Sequence, residues 1–293
     1  MSLPLCWHQI ARWPYRLRSH FLRQALGQQV AAGVGRELTP RCWVFIIGCY
    51  NSGTTLLKDM LAQHPAIGVL PGEGVRFTDA LPRPETLGWN RMWCCCAAAM
   101  RLGDGPEFVS IAARIKRQWS LLFPRRPFLL EKSIANAARL PFLNAHFRPA
   151  SFVYLVRNGY AVAEGIRRKA RPGRWGNPEF AERYPISLCA RQWRDTERLV
   201  GMDRIRVERF ISLSYEELTA TPQTALARIT RFLELEPLAP AVFDQAWVVH
   251  GRASVIRNMN PESLARLSPA DVDAIQSVAG SELAACGYTR PEL

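Results

Sequence analysis

The sequence predicts an α/β protein with three layers, α/β/α, in which helices cover both faces of a central parallel sheet. Short apolar runs of strand length recur along the chain, and longer segments with helical spacing separate them. One apolar run leads directly into a glycine-containing turn and a helix, as phosphate-binding loops do. Strands that alternate with helices favour a parallel sheet, because each helix returns the chain to the same edge.

Each predicted element has its own signal. The predicted strands are CWVFIIG, PFLLEK, SFVYLVR and the start of RFISLSYEEL. The main predicted helices between them cover residues 54–63, 107–121, 187–200 and 222–234. A last helix is expected after Ser268, which suits an N-cap, with Pro269 at the first helical position and Gly287 as the stop signal.

The composition limits the kind of partner that the protein can have. The chain has 293 residues and a formal net charge of +13, so an anionic partner is expected. Basic residues are spread along the whole chain, which argues against nucleic acid as that partner. None of the eight cysteines forms a C-x-x-C pair, and we expect no metal site. We interpret the cysteines, including the triplet 94–96, as small buried residues in a reducing compartment.

Residues 1–40 are predicted to form a basic amphipathic segment that precedes the main domain, residues 41–293. In this segment Leu17, Phe21 and Ala25 share one helical face. Such a helix either lies on an anionic membrane surface or packs on its own domain. Arginines interrupt the segment, and no run reaches the roughly 20 apolar residues of a membrane span. We therefore expect a cytoplasmic protein, with peripheral membrane contact as an open alternative.

The glycine-containing loop GCYNSGTTLL follows the first predicted strand and begins a helix. Backbone N–H groups and the helix dipole at such a turn favour a phosphate group. Loops that bind nucleoside triphosphates read G-x-x-x-x-G-K-[ST], and here Thr54 follows Gly53 where lysine would stand. The missing lysine argues against an ATP-dependent P-loop phosphotransferase, which is one alternative function.

With its helix, the segment NSGTTLLKDMLAQHP resembles the 5′-phosphosulfate loop of sulfotransferases, which use 3′-phosphoadenosine 5′-phosphosulfate (PAPS). The resemblance implies the sulfotransferase fold, which is similar to that of P-loop-containing nucleotide hydrolases. It also implies PAPS as cofactor and contacts to it from Asn51, Ser52, Gly53, Thr54 and Thr55. Many family members have lysine or arginine immediately before S-G-T-T, where this chain has Asn51.

Three further segments extend the resemblance. FVYLVRNGYAVAEGIRRK is similar to the 3′-phosphate element, which implies that Arg157 pairs with the 3′-phosphate. The family usually has serine eight residues later, where this chain has Gly165. LSYEELTATP resembles a segment that would place Tyr215 near the adenine, and the late segment HGRASVIRNMN offers Ser254 and Arg257 as phosphate contacts.

The resemblance also implies catalytic residues. Sulfuryl transfer needs a base for the acceptor proton and positive charge near the leaving phosphate. VLPGEGVRF resembles a stretch of tyrosylprotein sulfotransferases that contains the base, which implies Glu73 as base and Arg76 as a neighbour or substrate contact. FLLEKSIANAARL resembles a segment that implies Lys132 as the stabilising cation, with Glu131 as its structural partner. Asn51 would donate a hydrogen bond near the leaving phosphate but carries no charge.

The sequence therefore predicts a PAPS-dependent sulfotransferase that acts on a hydroxyl or amine of a small molecule, a sugar or a peptide. Tryptophans and apolar residues of LGWNRMWCCCAAAM and arginines of RRKARPGRWGNPEF are candidates for lining the acceptor pocket. The departures at Asn51 and Gly165 leave a second hypothesis open. On that hypothesis the chain is a non-catalytic nucleotide-binding or membrane-associated protein of the same fold.

Overall fold

A five-stranded parallel sheet forms the centre of the computed structural model, which describes residues 13–243 and 256–292 and the backbone of residues 247–249 and 252–254. The strands are β1 (Cys42–Gly48), β2 (Ile67–Val69), β3 (Phe128–Glu131), β4 (Ala150–Val156) and β5 (Phe210–Ser214). Their order across the sheet is β2-β3-β1-β4-β5, and every neighbouring pair is parallel. The four predicted strands are confirmed, and β2 is an additional short edge strand.

Helices connect the strands and follow the sheet. They are α1 (Tyr15–Phe21), α2 (Ala25–Val34), α3 (Thr54–Leu61), α4 (Ala97–Met100), α5 (Val109–Trp119), α6 (Leu140–His146), α7 (Gly159–Lys169), α8 (Ile186–Asp203), α9 (Tyr215–Ala220), α10 (Pro222–Phe232), α11 (Asn260–Leu264) and α12 (Pro269–Ala285). A separate antiparallel pair consists of β6 (Trp247–Val249) and β7 (Arg252–Ser254). The predicted N-cap of α12 is confirmed, because the hydroxyl of Ser268 accepts a hydrogen bond from the N–H of Asp271.

Helices cover both faces of the sheet, as the sequence predicts. Every residue of β1 is buried, which is typical of a central parallel strand. Trp43 and Phe45 pack into one apolar cluster, together with side chains of α2, α5, α6, α7, α8 and α12. Val44 and Ile46 pack into the other, together with side chains of α3, α9 and α10. The chain is therefore a three-layer α/β/α structure.

The N-terminal segment packs differently from its predicted helical pattern. A turn separates α1 from α2, so Leu17, Phe21 and Ala25 do not lie on one continuous helix. Leu17 is 62% exposed, whereas Leu22 and Ala31 are buried in the core. Helix α2 packs against α5, so the described part of this segment lies on the domain that follows it. Among the described residues, no helix has the length and apolar character needed to cross a membrane.

The sheet topology places the predicted site residues at one edge. The carboxyl ends of parallel strands lie at the same edge of the sheet, where ligands of open α/β sheets bind. Strand β1 ends at Gly48, before the glycine-containing loop. Lys132, Arg157 and Tyr215 are the residues that directly follow β3, β4 and β5.

Candidate active site

A cavity of about 460 Å³ opens at this edge of the sheet. Most of the predicted site residues line it, namely Asn51, Gly53, Thr54, Thr55, Glu73, Lys132, Arg157, Tyr215 and Arg257. Ser52 and Gly165 are not part of its lining, and the side chain of Ser254 lies outside the described residues. The predicted catalytic and cofactor-binding groups therefore meet in one place.

The loop after β1 has two residues with a left-handed backbone. Asn51 has φ of 62° and Gly53 has φ of 90°. Asparagine adopts this conformation more readily than most residues with a side chain, and glycine adopts it without strain. A Cβ atom on Gly53 would also lie only 2.6 Å from Cδ2 of Tyr215. Glycine is thus required here by both the backbone and the adjacent ring, and α3 begins at the next residue.

Arg157 is held in place on several sides and keeps one donor open. Its Nε donates to Oδ1 of Asn260 at 2.8 Å, and its Nη1 donates to the carbonyl oxygen of Asn51 at 2.6 Å. The guanidinium lies 4.1 Å from the ring centroid of Tyr215. Nη2 is buried and has no hydrogen-bond partner among the described residues. Because buried polar groups in proteins are normally paired, this nitrogen is available to an anionic ligand.

Two more donors of the loop are open in the same way. Within the described part of the chain, Nδ2 of Asn51 and the hydroxyl of Ser52 are buried without a hydrogen-bond partner. Both residues lie directly before α3, whose N-terminal end carries partial positive charge. Of these donors, the amide of Asn51 lines the cavity, and together with Arg157 it fits a ligand with phosphate groups, as the resemblance to PAPS-dependent enzymes implies.

Glu73 and Lys132, the predicted base and cation, are paired with each other. Nζ of Lys132 lies 2.7 Å from Oε1 of Glu73. The side chain of Lys132 is 7% exposed and that of Glu73 is 28% exposed, so the pair lies at the inner wall of the cavity. The expectation that Glu131 is the partner of Lys132 is wrong, because the loop around Glu73 folds back over the end of β3.

Glu131 instead anchors the turn that carries Glu73. Its Oε1 accepts a hydrogen bond from the N–H of Gly74 at 2.7 Å, and Ser133 and Asn136 donate to its two oxygens. The indole N–H of Trp119 donates to the carbonyl oxygen of Gly74 at 3.1 Å. Burial raises the pKa of Glu131, which is fully enclosed. A buried carboxyl and an indole therefore fix the position of Glu73.

Tyr215 and Arg257 form another wall of the cavity. The hydroxyl of Tyr215 donates to the carbonyl oxygen of Arg257 at 3.2 Å and accepts from the N–H of Met259 at 3.2 Å. The side chain of Arg257 is 63% exposed and is paired with Glu262. The ring of Tyr215 is thus fixed against Arg157, whereas the guanidinium of Arg257 is already engaged.

Two basic residues of the cavity were not singled out from the sequence. Nη1 of Arg91 donates to Oδ1 of Asn51 at 3.3 Å, and its guanidinium lies 5.9 Å from the ring centroid of Tyr50. Lys169, the last residue of α7, also lines the cavity. Burial and the charges of Arg91, Arg168 and Arg157 lower the pKa of Lys169 to about 8. Neither residue belongs to a motif. The only indication in the sequence that they could bind an anion is the basic character of the segments around them.

The aromatic residues expected in the acceptor pocket lie elsewhere. Trp93 is buried in the core, and Trp89 stacks on Tyr184 with ring centroids 6.2 Å apart. The arginines that begin the second candidate segment are held by carboxylates, Arg167 by Asp271 and Arg168 by Glu164. The two segments contribute polar and charged groups to the cavity, namely Asn90, Arg91 and Lys169.

The interpretation of the cysteines as buried residues is correct for some of them. Cys94 is buried, whereas Cys95 and Cys96 are partly exposed, and the seven cysteines in the described chain are free thiols. In residues 13–243 and 256–292, no group of three or more His, Cys, Asp or Glu side chains could hold a metal ion.

Residues 44–240 match the family model described as Sulfotransferase family. The chain is 26% identical over 269 residues to protein-tyrosine sulfotransferase 1 of Danio rerio, covering 84% of this chain and 72% of that one. It is 24% identical over 247 residues to protein-tyrosine sulfotransferase A of Caenorhabditis elegans, and the match covers 80% of this chain and 60% of that one. The nodulation protein NoeE of Sinorhizobium fredii is 23% identical over 226 residues, and the match covers 70% of this chain and 53% of that one. The chain thus spans between about half and three quarters of these relatives.

Solved structures share the fold. The sulfotransferase domain of the Synechococcus PCC 7002 olefin synthase has a TM-score of 0.57 and 22% identity, covering 87% of this chain and 97% of that one. Sulfotransferase STF9 of Mycobacterium avium has a TM-score of 0.54 and 16% identity, and the match covers 96% of this chain and 89% of that one. These likenesses confirm the predicted α/β/α architecture.

Proposed function

Because the chain belongs to the sulfotransferase family, we propose that it transfers a sulfuryl group from PAPS to a hydroxyl or amine acceptor. One observation carries this proposal: the open donors of Asn51 and Arg157 lie in the same cavity as the ion pair of Glu73 and Lys132. The first two groups suit a phosphorylated donor. The second two supply the base and the cation that the transfer requires.

The binding roles follow from the positions of the open donors. Arg157 binds the 3′-phosphate through Nη2, because its other two nitrogens are already committed to Asn260 and Asn51. The loop residues Gly53, Thr54 and Thr55, which line the cavity, bind the 5′ end with backbone N–H groups and hydroxyls at the start of α3. Tyr215, which lines the cavity, would contact the adenine. When bound, PAPS supplies the sulfuryl group, and 3′-phosphoadenosine 5′-phosphate is the product.

Glu73 and Lys132 act in sequence. Glu73 takes the proton of the acceptor as the acceptor oxygen or nitrogen forms its bond to sulfur. The neutral carboxylic acid then holds the ammonium of Lys132 less strongly than the carboxylate did, because the charge–charge attraction is lost. Lys132 is thereby free to neutralise the negative charge that appears on the leaving phosphate oxygen. Asn51 adds a hydrogen bond from Nδ2 to the same group.

The acceptor is a small molecule, a sugar or a peptide with a free hydroxyl or amine. Two of the relatives are named protein-tyrosine sulfotransferases, which supports a tyrosine-containing peptide as the first acceptor to test.

Binding and transfer can be measured separately with the same protein. Titration calorimetry with 3′-phosphoadenosine 5′-phosphate should show binding that Arg157→Gln weakens by about tenfold or more. The control is Arg231→Gln, which removes an exposed arginine of α10 that does not line the cavity. Incubation with labelled PAPS and a panel of peptide, sugar and small-molecule acceptors should give a labelled product. Wild-type protein that binds no bisphosphate would contradict the proposal, and binding without any transfer would favour the non-catalytic alternative.

A further inference from the structure

Two arginines of the cavity donate to the same loop residue through different atoms. Nη1 of Arg157 donates to the main-chain oxygen of Asn51 at 2.6 Å, and Nη1 of Arg91 donates to its side-chain Oδ1 at 3.3 Å. The two guanidinium groups therefore both lie beside the phosphate-binding loop. They come from distant parts of the chain, one before α4 and the other after β4.

Neither arginine is neutralised by a carboxylate. Two other cations of the cavity do have such partners, since Lys132 is paired with Glu73 and Arg257 with Glu262. In the described chain no carboxylate lies within ion-pair distance of Arg91 or Arg157. Arg157 is buried and Arg91 is half-buried, and this removal from water lowers the pKa of both guanidinium groups. A cation in such a place is stabilised when an anionic ligand binds.

The backbone at Arg91 provides an independent sign of function. Its φ of 62° is one of three positive values for residues other than glycine in the described chain. Arginine has no local preference for this conformation, so the surrounding structure must hold it there. The preceding residue helps, because Oδ1 of Asn90 accepts a hydrogen bond from the N–H of Arg171 at 2.9 Å. Strained positions of this kind cluster at ligand sites.

We propose that Arg91 binds the 5′-phosphosulfate end of PAPS and supplies there the positive charge that the loop itself lacks. The proposal rests on the proposed function, and it gives each of the two arginines that contact Asn51 one anionic end of the same ligand. Arg91 is assigned to the 5′ end because its contact is with the side chain of Asn51, which stands at the start of the loop. Arg157 then serves the 3′ end.

Nucleotides with a single phosphate separate the two ends. The ligands are 3′-phosphoadenosine 5′-phosphate, adenosine 5′-monophosphate and adenosine 3′-monophosphate, and the variants are Arg91→Gln, Arg157→Gln and the control Arg231→Gln. Arg91→Gln should weaken binding of the bisphosphate and the 5′-monophosphate by about tenfold or more and leave the 3′-monophosphate within about twofold. Arg157→Gln should show the reverse preference between the two monophosphates. An affinity of Arg91→Gln for the bisphosphate within about twofold of wild type would overturn the proposal.

Chemical protection tests the same point in the wild-type protein, so the result does not depend on the folding of a variant. Phenylglyoxal modifies accessible guanidinium groups, and mass spectrometry of the digested protein locates them. Adenosine 5′-monophosphate should protect Arg91, whereas adenosine 3′-monophosphate should leave its modification unchanged. Equal modification of Arg91 with and without the 5′-monophosphate would overturn the inference while leaving the proposed function intact. Failure of the wild type to bind any of the three ligands would instead remove the proposed function.

Discussion

Asn51 and Gly165, the two positions that the resemblance to sulfotransferases marks as departures, lie next to each other. A Cβ atom on Gly165 would lie 3.1 Å from Cγ of Asn51 and 3.2 Å from its Nδ2. A side chain at position 165 would therefore push against the amide of Asn51. We interpret the two departures as one local arrangement, in which glycine makes room for asparagine in the loop.

This contact predicts coupling between the two positions. Alanine is favoured over glycine inside a helix by about 1 kcal/mol, and Gly165 lies within α7. In the wild type the crowding against Asn51 should cancel most of that gain, whereas in an Asn51→Gly background Gly165→Ala should stabilise the protein. A double-mutant cycle by urea denaturation should give a coupling free energy of about 0.5–1 kcal/mol. If Gly165→Ala changes the free energy of unfolding equally in both backgrounds, the two positions are not coupled.

Glu131 and Glu73 lie close together but should respond differently to the same substitution. Glutamine at 131 would turn an amide NH₂ group towards the donors of Gly74, Ser133 or Asn136, which leaves at least one buried donor unpaired. We expect Glu131→Gln to lower the free energy of unfolding by about 1–3 kcal/mol. Glu73→Gln serves as the matched control and should cost less, because Glu73 is partly exposed and the carbonyl oxygen of glutamine can still accept a hydrogen bond from Lys132. Similar losses in both variants would argue against the anchoring role of Glu131.

The ion pair of Glu73 and Lys132 predicts distinct kinetic effects for its two members. Glu73→Gln removes the base and should lower kcat by about 10²–10⁴-fold, while binding of 3′-phosphoadenosine 5′-phosphate is kept. Lys132→Met removes the cation, so it should lower kcat and also weaken binding of the bisphosphate. The double variant should be little worse than the poorer single variant, because the two groups act as a unit. Initial rates with labelled PAPS and calorimetry test this, and a Glu73→Gln enzyme with half the wild-type kcat would exclude Glu73 as base.

The sequence predicted the sheet and most of the cavity lining because these depend on local patterns. Strand β1 is confirmed with both of its predicted ends, since seven consecutive buried residues form a continuous apolar run. The glycine of the loop is explained by its φ of 90° and by the adjacent Tyr215 ring. Strand β2 has only three residues, so it offers too little pattern to distinguish it from a loop.

What the sequence did not predict depends on contacts between distant residues. The partner of Lys132 is 59 residues away and not the adjacent carboxylate, because the side chains of Glu131 and Lys132 take different directions. Arg91 donates a hydrogen bond to Asn51, which is 40 residues away in the sequence, and the loop that contains Arg91 has no recognisable motif. The apolar face expected from Leu17 to Ala25 does not form, because the chain turns between α1 and α2. Helical spacing describes side-chain directions only while the helix continues.

Glu197 lies away from the cavity and should give the protein a pH-dependent stability. Tyr154 donates a hydrogen bond to its Oε1, and Sγ of Cys286 lies 3.7 Å from its Oε2. Burial raises the pKa of Glu197 from 4.5 to about 7. The folded protein therefore binds this proton more tightly than the unfolded chain does. The stabilising contribution is fully present below pH 4.5 and is lost as the pH rises through about 7.

The free energy of unfolding should accordingly fall by up to ~3 kcal/mol between about pH 4.5 and pH 7 on account of this one group. Glu197→Gln keeps an uncharged hydrogen-bond acceptor for Tyr154 and has no proton to lose, so this part of the pH dependence should disappear. Urea denaturation at about pH 5 and about pH 8 measures the difference, with the exposed Glu182→Gln as control. If Glu197→Gln and Glu182→Gln lose the same stability between these two pH values, the carboxyl of Glu197 is not the group that titrates.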